Sequence, residues 1–154
     1  MKRALIIIML FMLTNCGFEA VNNKNIKSFS VKDLVTTGDN RVSYLVKNKI
    51  NLLQNKESQK EIKINLDIKK IKNIKEKNIK NEITKHELII IIDIIFIVSD
   101  YTKTFKLQQS IIGEYAVAKS YSDTLNNEKE LIKLLSNQIS ENIFSEISLR
   151  INDL

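Results

Sequence analysis

Glu61-Ile62-Lys63-Ile64-Asn65-Leu66-Asp67-Ile68 alternates polar and apolar side chains without a break. Successive side chains of an extended chain point to opposite faces, so Ile62, Ile64, Leu66 and Ile68 line one face and Glu61, Lys63, Asn65 and Asp67 the other. The stretch is therefore a half-buried strand. A strand with one dry face needs a second layer over that face, and this requirement sets the class of fold.

Toward the C-terminus the alternation loses phase. Lys69 to Lys80 is rich in Lys and Asn, with Ile71, Ile74 and Ile79 irregularly spaced, which predicts a strand end and a basic turn. Leu88 to Val98 is apolar on both faces except at Asp93; it is too short to span a bilayer and reads as a buried strand. Ser99 to Thr102 supplies the next turn. Phe105, Leu107, Ile111, Tyr115 and Val117 then share one face of a long strand, with Lys106, Gln108, Ser110 and Glu114 on the other and a bulge or bend predicted at Gly113. Asn127 and Glu130 predict a box-like cap, after which Ile132, Leu135, Ile139, Ile143, Ile147 and Ile151 step by three and then by fours along a helix.

Toward the N-terminus, Val42, Leu45, Val46, Ile50 and Leu53 lie on one face of a helix, and Asp39 is placed to cap it. The cluster Thr36-Thr37-Gly38-Asp39 punctuates the chain, and Ile26 to Val31 predicts a short first strand. The expected order is β-α-β-β-β-α. It gives an α/β two-layer sandwich in which about four mostly antiparallel strands pack against two helices.

The first fifteen residues, MKRALIIIMLFMLTN, place two basic residues before an apolar stretch from Ala4 to Leu13. This is the layout of a secretory signal. Leu13-Thr14-Asn15-Cys16-Gly17 resembles the bacterial lipobox, in which the thiol of an obligatory Cys is acylated before cleavage, although Asn15 stands where a smaller residue is usual. The reading divides the chain into a lipoprotein-type signal peptide over 1–15, an acylated N-terminus and tether over 16–25, and one α/β domain over 26–154. A plain secretory signal with an incidental Cys16 is the alternative. In family terms, the absence of Asp after the cysteine favours the outer membrane, where several acyl chains would hold the protein permanently.

Composition excludes much else. Cys16 is the one cysteine and His86 the one histidine, so neither an internal disulfide nor a Cys/His zinc site can be built. Three glycines supply no phosphate-binding loop and no Gly-x-Ser-x-Gly turn. No catalytic residue, metal or cofactor is expected beyond the covalent lipid, and the protein is not expected to be an enzyme. Of the formal charge of +6, two units are Lys2 and Arg3 in the segment read as removed; the modest remainder is compatible with an anionic partner without demanding one, and no nucleic-acid partner is expected.

Together, Cys16-Gly17-Phe18, the strand order, Ile94 to Asp100 as a strand closing in an apolar-x-Asp turn, Ile111 to Tyr121, and the long helix over Asn127 to Ile151 resemble the LptE family of lipopolysaccharide-assembly lipoproteins. The proline often found soon after Gly-Phe in that family is missing. The resemblance implies a plug in the lumen of an LptD-type β-barrel that assists the barrel's assembly and the delivery of lipopolysaccharide to the cell surface. It also implies an outer-membrane, lipid-anchored location on the periplasmic side or within the barrel.

Two sets of residues are candidates for contacts. Lys69, Lys70 and Lys72, with Lys75, Lys77 and Lys80, concentrate charge that would suit the phosphates of lipopolysaccharide; the alternative is a solvated tip. Ile89, Ile91, Ile95 and Ile97 lie on the opposite strand face from Leu88, Ile90, Ile92, Ile94 and Phe96. Two layers cover only one of these faces, which leaves the other to a partner or to the domain's own loops. A competing function is a lipid-binding auxiliary lipoprotein of another envelope transport system.

Overall fold

The computed structural model describes residues 29–99 and 103–152. The signal segment, Cys16 and the tether lie outside the described residues, as do Asp100 to Thr102 of the predicted turn. The elements are β1 (Ser30–Gly38), α1 (Asn40–Leu53), β2 (Glu61–Lys77), β3 (Ile83–Val98), β4 (Thr104–Ala116) and α2 (Tyr121–Asn152). The predicted order and class hold. The sheet runs β1-β2-β3-β4, with β1 parallel to β2 and the other two pairings antiparallel.

Both helices cover one face of this sheet. Ile62, Ile64, Leu66 and Ile68 of β2 and Leu88, Ile90, Ile92, Ile94, Phe96 and Val98 of β3 form one core with Val42, Val46 and Ile50 of α1 and the isoleucine stripe of α2. Each of those aliphatic side chains gives about 1.5 to 3 kcal/mol on full burial, which drives the two layers together. Buried Ser136, Ser140 and Ser148 lie beside the stripe of α2. The Ser140 and Ser148 hydroxyls satisfy themselves inside the helix, donating to the carbonyls of Ser136 at 2.6 Å and Phe144 at 2.8 Å.

Three boundaries differ from the expectations. Of the expected first strand, Ile26 to Ser28 lie outside the described residues, and β1 runs on past Val31 because Thr36 to Gly38 continue it in parallel register with Leu66 to Ile68. Asp39 does cap α1, its Oδ1 accepting from the backbone N–H of Arg41 at 3.2 Å and of Val42 at 3.0 Å. Lys69 to Lys77 is strand rather than turn, paired with Ile83 to Ile91; the turn occupies residues 78–82, closed by Asn78 and Asn81. Helix α2 starts at Tyr121, six residues before Asn127. Ser120 caps it, its Oγ accepting from the N–H of Asp123 at 3.0 Å, while Asn127 donates to the carbonyl of Ala116.

Gly113 makes no bulge, since the β3–β4 register is unbroken there. Its missing side chain serves packing instead. A Cβ at this position would lie 2.8 Å from Leu131 Cδ1 and 3.1 Å from Leu135 Cδ2, so glycine lets α2 settle against β4.

Candidate functional site

The face of the sheet opposite the helices is open among the described residues, and it carries the second set of candidates. Register places Lys63, Asn65, Asp67, Lys69, Ile71 and Asn73 of β2 beside Ile97, Ile95, Asp93, Ile91, Ile89 and Glu87 of β3. The β4 neighbours of the same β3 residues are Thr104, Lys106, Gln108, Ser110, Ile112 and Glu114. Ile89, Ile91, Ile95 and Ile97 are thus together on this face. Ile89 and Ile91 are half-buried by their flanking strands, whereas Ile95 and Ile97 are 39% and 40% exposed.

A polar row divides the face in two. Thr37, Asp67, Asp93 and Gln108 are register partners across all four strands. The Thr37 hydroxyl donates to Asp67 at 3.0 Å, Gln108 Nε2 donates to Asp93 at 2.6 Å, and Lys69 Nζ lies 3.3 Å from Asp93 and 3.7 Å from Asp67. Lys69 therefore keeps two facing carboxylates compatible. On one side of the row Ile71, Ile89 and Ile112 form a continuous apolar line across three strands, with Ile91 next to it. On the other side stand Ile95, Ile97 and Val35, the last beside Asn65.

Ile71 and Ile112 belong to this surface and were not among the expected contact residues. Ile71 was hidden because Lys69 to Lys80 reads as a turn. The visible signal was an inversion of phase: beyond Ile68 lysines occupy the helix-side positions 70 and 72, and an isoleucine occupies the open-side position 71.

The lysine candidates do not form one cationic patch. Lys69 is on the open face, whereas Lys70 and Lys72 point to the helix side, and all three have carboxylate partners. Lys70 Nζ is 2.7 Å from Asp39, tying β2 to the cap of α1. Lys72 Nζ is 2.7 Å from Glu128, which also accepts from the Tyr115 hydroxyl at 2.8 Å. Lys75 lies 3.2 Å from Glu87 and 3.3 Å from Glu114. His86 stacks obliquely on Tyr115, with ring centroids 5.4 Å apart.

These partners shift titrations in one direction. The Gln108 hydrogen bond and then Lys69 hold the Asp93 carboxyl below the usual range, and Lys75 followed by Asn73 does the same for Glu87. Burial pushes Asp39 and Glu128 upward, but Lys70 together with the cap hydrogen bonds outweighs it at Asp39, and Lys72 together with the Tyr115 hydroxyl and Lys70 outweighs it at Glu128, so both end lowered. A carboxyl depressed in the folded state contributes stability that is complete above its unfolded pKa and is lost as pH falls through the folded value. The melting midpoint should therefore stay level from neutrality to about pH 4 and fall below it. A midpoint that rises on acidification would contradict these assignments.

No helix of the described residues is long and apolar enough to cross a membrane, and among those residues no group of His, Cys, Asp and Glu side chains could hold a metal ion. No family model matches the chain, and no curated protein is similar to it in sequence. Solved structures do match. A candidate lipoprotein from Caulobacter crescentus CB15 superposes with a TM-score of 0.60 at 12% identity, over 83% of this chain and 93% of that one. The chain shares the fold of a solved candidate lipoprotein. The same fold recurs in rare lipoprotein B from Shewanella oneidensis, with a TM-score of 0.59 and 13% identity over 80% of this chain and 96% of that one. It recurs again in an uncharacterized lipoprotein B from Nitrosomonas europaea, with a TM-score of 0.51 and 12% identity over 81% and 85% of the two chains.

Proposed function

We propose that this chain is an outer-membrane lipoprotein, anchored through acylated Cys16, that occupies the lumen of an LptD-type β-barrel and assists its assembly for lipopolysaccharide delivery to the cell surface. The observation that carries this reading is a two-layer lipoprotein fold whose second sheet face, with Ile71, Ile89, Ile91 and Ile112 in a connected apolar group, is left without a covering layer among the described residues. A water-facing sheet is ordinarily polar on that side; an apolar group there suits contact with another protein. The lipobox-like stretch before Gly17 and the resemblance of the chain to lipopolysaccharide-assembly lipoproteins give the partner its class. In this role the protein supplies contacts and catalyses no reaction.

Purification of the chain from outer membranes in mild detergent tests the proposal. A barrel of much larger mass should be retained, and Ile89→Asn with Ile91→Asn should reduce its recovery while the circular dichroism spectrum stays that of a folded domain. Recovery of the chain alone, with a stoichiometric lipid on the isolated domain, would instead identify a carrier. The anchor has its own test. Cys16→Ala should abolish fatty-acid labelling and release the protein from the membrane or leave its signal uncleaved, because no other thiol is available. Unchanged labelling would remove the lipoprotein assignment.

A further inference from the structure

The two edges of the sheet are built differently. Strand β1 is nine residues long, has a register shift between Val31 and Asp33, carries Lys32 and Asp33 at that irregularity, and gives the Val31 N–H to Gln54 Oε1 at 2.8 Å. Irregularity, charge and a side-chain cap are the usual ways of making an edge unfit for further pairing. Strand β4 has no such irregularity across thirteen residues; its charges are Lys106 and Glu114, and a side chain caps it only at its last residue, where Asn127 donates to the Ala116 carbonyl at 3.0 Å. Its register against β3 is continuous from Ile97↔Thr104 to Lys85↔Ala116, and it has no proline. Its outer backbone groups face no other strand among the described residues.

The β4 sequence is also complementary to itself. When two copies run antiparallel about Ser110, Thr104 meets Ala116 and Lys106 meets Glu114 of the other copy, twice by symmetry. Lys106 and Glu114 are on the same open face of the sheet, and Lys106 has no acidic partner among the described residues. On the helix side the same register sets Phe105 against Tyr115 and Leu107 against Gly113. An open groove of 510 Å³ runs beside this end of the edge, lined by Tyr115, Leu131 and Leu134 together with Glu114, Asn127 and Glu130. Leu134 is 53% exposed there. An unpaired strand edge, two prospective opposite-charge pairs and a groove with exposed Leu134 thus coincide on one self-complementary strip, as a two-fold interface requires.

We propose that the chain dimerises through β4, antiparallel and centred on Ser110, so that the two sheets become continuous. The inference is independent of the barrel assignment and concerns the chain when no barrel holds it.

Sedimentation of the full chain in mild detergent tests it. Wild type should be a dimer in the micromolar range. Lys106→Glu sets two pairs of carboxylates opposite each other and should weaken the dimer roughly tenfold or more, while Lys106→Glu combined with Glu114→Lys should restore it. The exchange takes Glu114 from Lys75, which keeps Glu87. A monomeric wild type, a dimer indifferent to Lys106→Glu, or a folded exchanged variant that stays monomeric would each overturn the proposal. Hydrogen exchange on wild type gives a measurement that does not depend on any variant folding. Protection of the amides over 104–116 should rise with protein concentration, and protection that is constant with concentration would overturn it too.

Discussion

Gly38→Ala should cost about 3 to 5 kcal/mol and leave the domain largely unfolded in modest denaturant. Two effects add at this position. The backbone of Gly38 has φ of +95°, in the region that residues with a Cβ rarely adopt. A Cβ there would also fall on the carbonyl oxygen of Ile68, a backbone atom that cannot swing aside. The same carbonyl accepts from the N–H of Asp39 at 3.0 Å, so moving it disturbs the cap of α1 as well. Chemical denaturation followed by far-ultraviolet circular dichroism measures the loss. A midpoint within experimental error of wild type would show that β1 and β2 can separate at this corner without penalty.

Ile143→Ala should cost about 2 to 5 kcal/mol, a large part of the 5 to 15 kcal/mol that holds a domain of this size together. Ile143 is fully buried in the middle of the α2 stripe, between Ile139 and Ile147, in the core shared with both strands and α1. Its neighbour Phe144 stacks on Phe29 with ring centroids 4.5 Å apart, which limits how far α2 can move to fill the space left by the lost methyl groups. The expected result is a lower thermal midpoint with an unchanged spectrum before the transition. A surface substitution such as Ile79→Ala, at the fully exposed tip of the β2–β3 hairpin, should leave the midpoint within about 0.5 kcal/mol of wild type and serves as the control.

Regular periodicity was legible, whereas local punctuation was legible at the Asp39 cap and misleading elsewhere. The alternation over Ile62 to Ile68 and the stripe from Ile132 to Ile151 give the correct buried faces, because each follows from the geometry of a single element. Thr36 to Gly38 and Lys69 to Lys77 read as breaks yet belong to strands, since pairing with a neighbour satisfies their backbone whatever their intrinsic preference. Gly113 illustrates the reverse error. A glycine inside a strand suggests a bulge, but the demand for it comes from Leu131 and Leu135 on a helix that follows later in the chain.

The candidate surface divides in the same way. That Ile89, Ile91, Ile95 and Ile97 share a face follows from alternation alone, and the sequence determines it together with the strand and helix order. Tertiary structure decided what accompanies them. It brought Ile71 and Ile112 into line with Ile89, placed the Asp67–Asp93–Gln108 row across the middle, and dispersed Lys69, Lys70 and Lys72 onto two faces with separate acidic partners. One residue of register moves a side chain to the opposite face of the sheet. Register is set by what the whole sheet buries against both helices, so partners distant in sequence become neighbours only when those layers close.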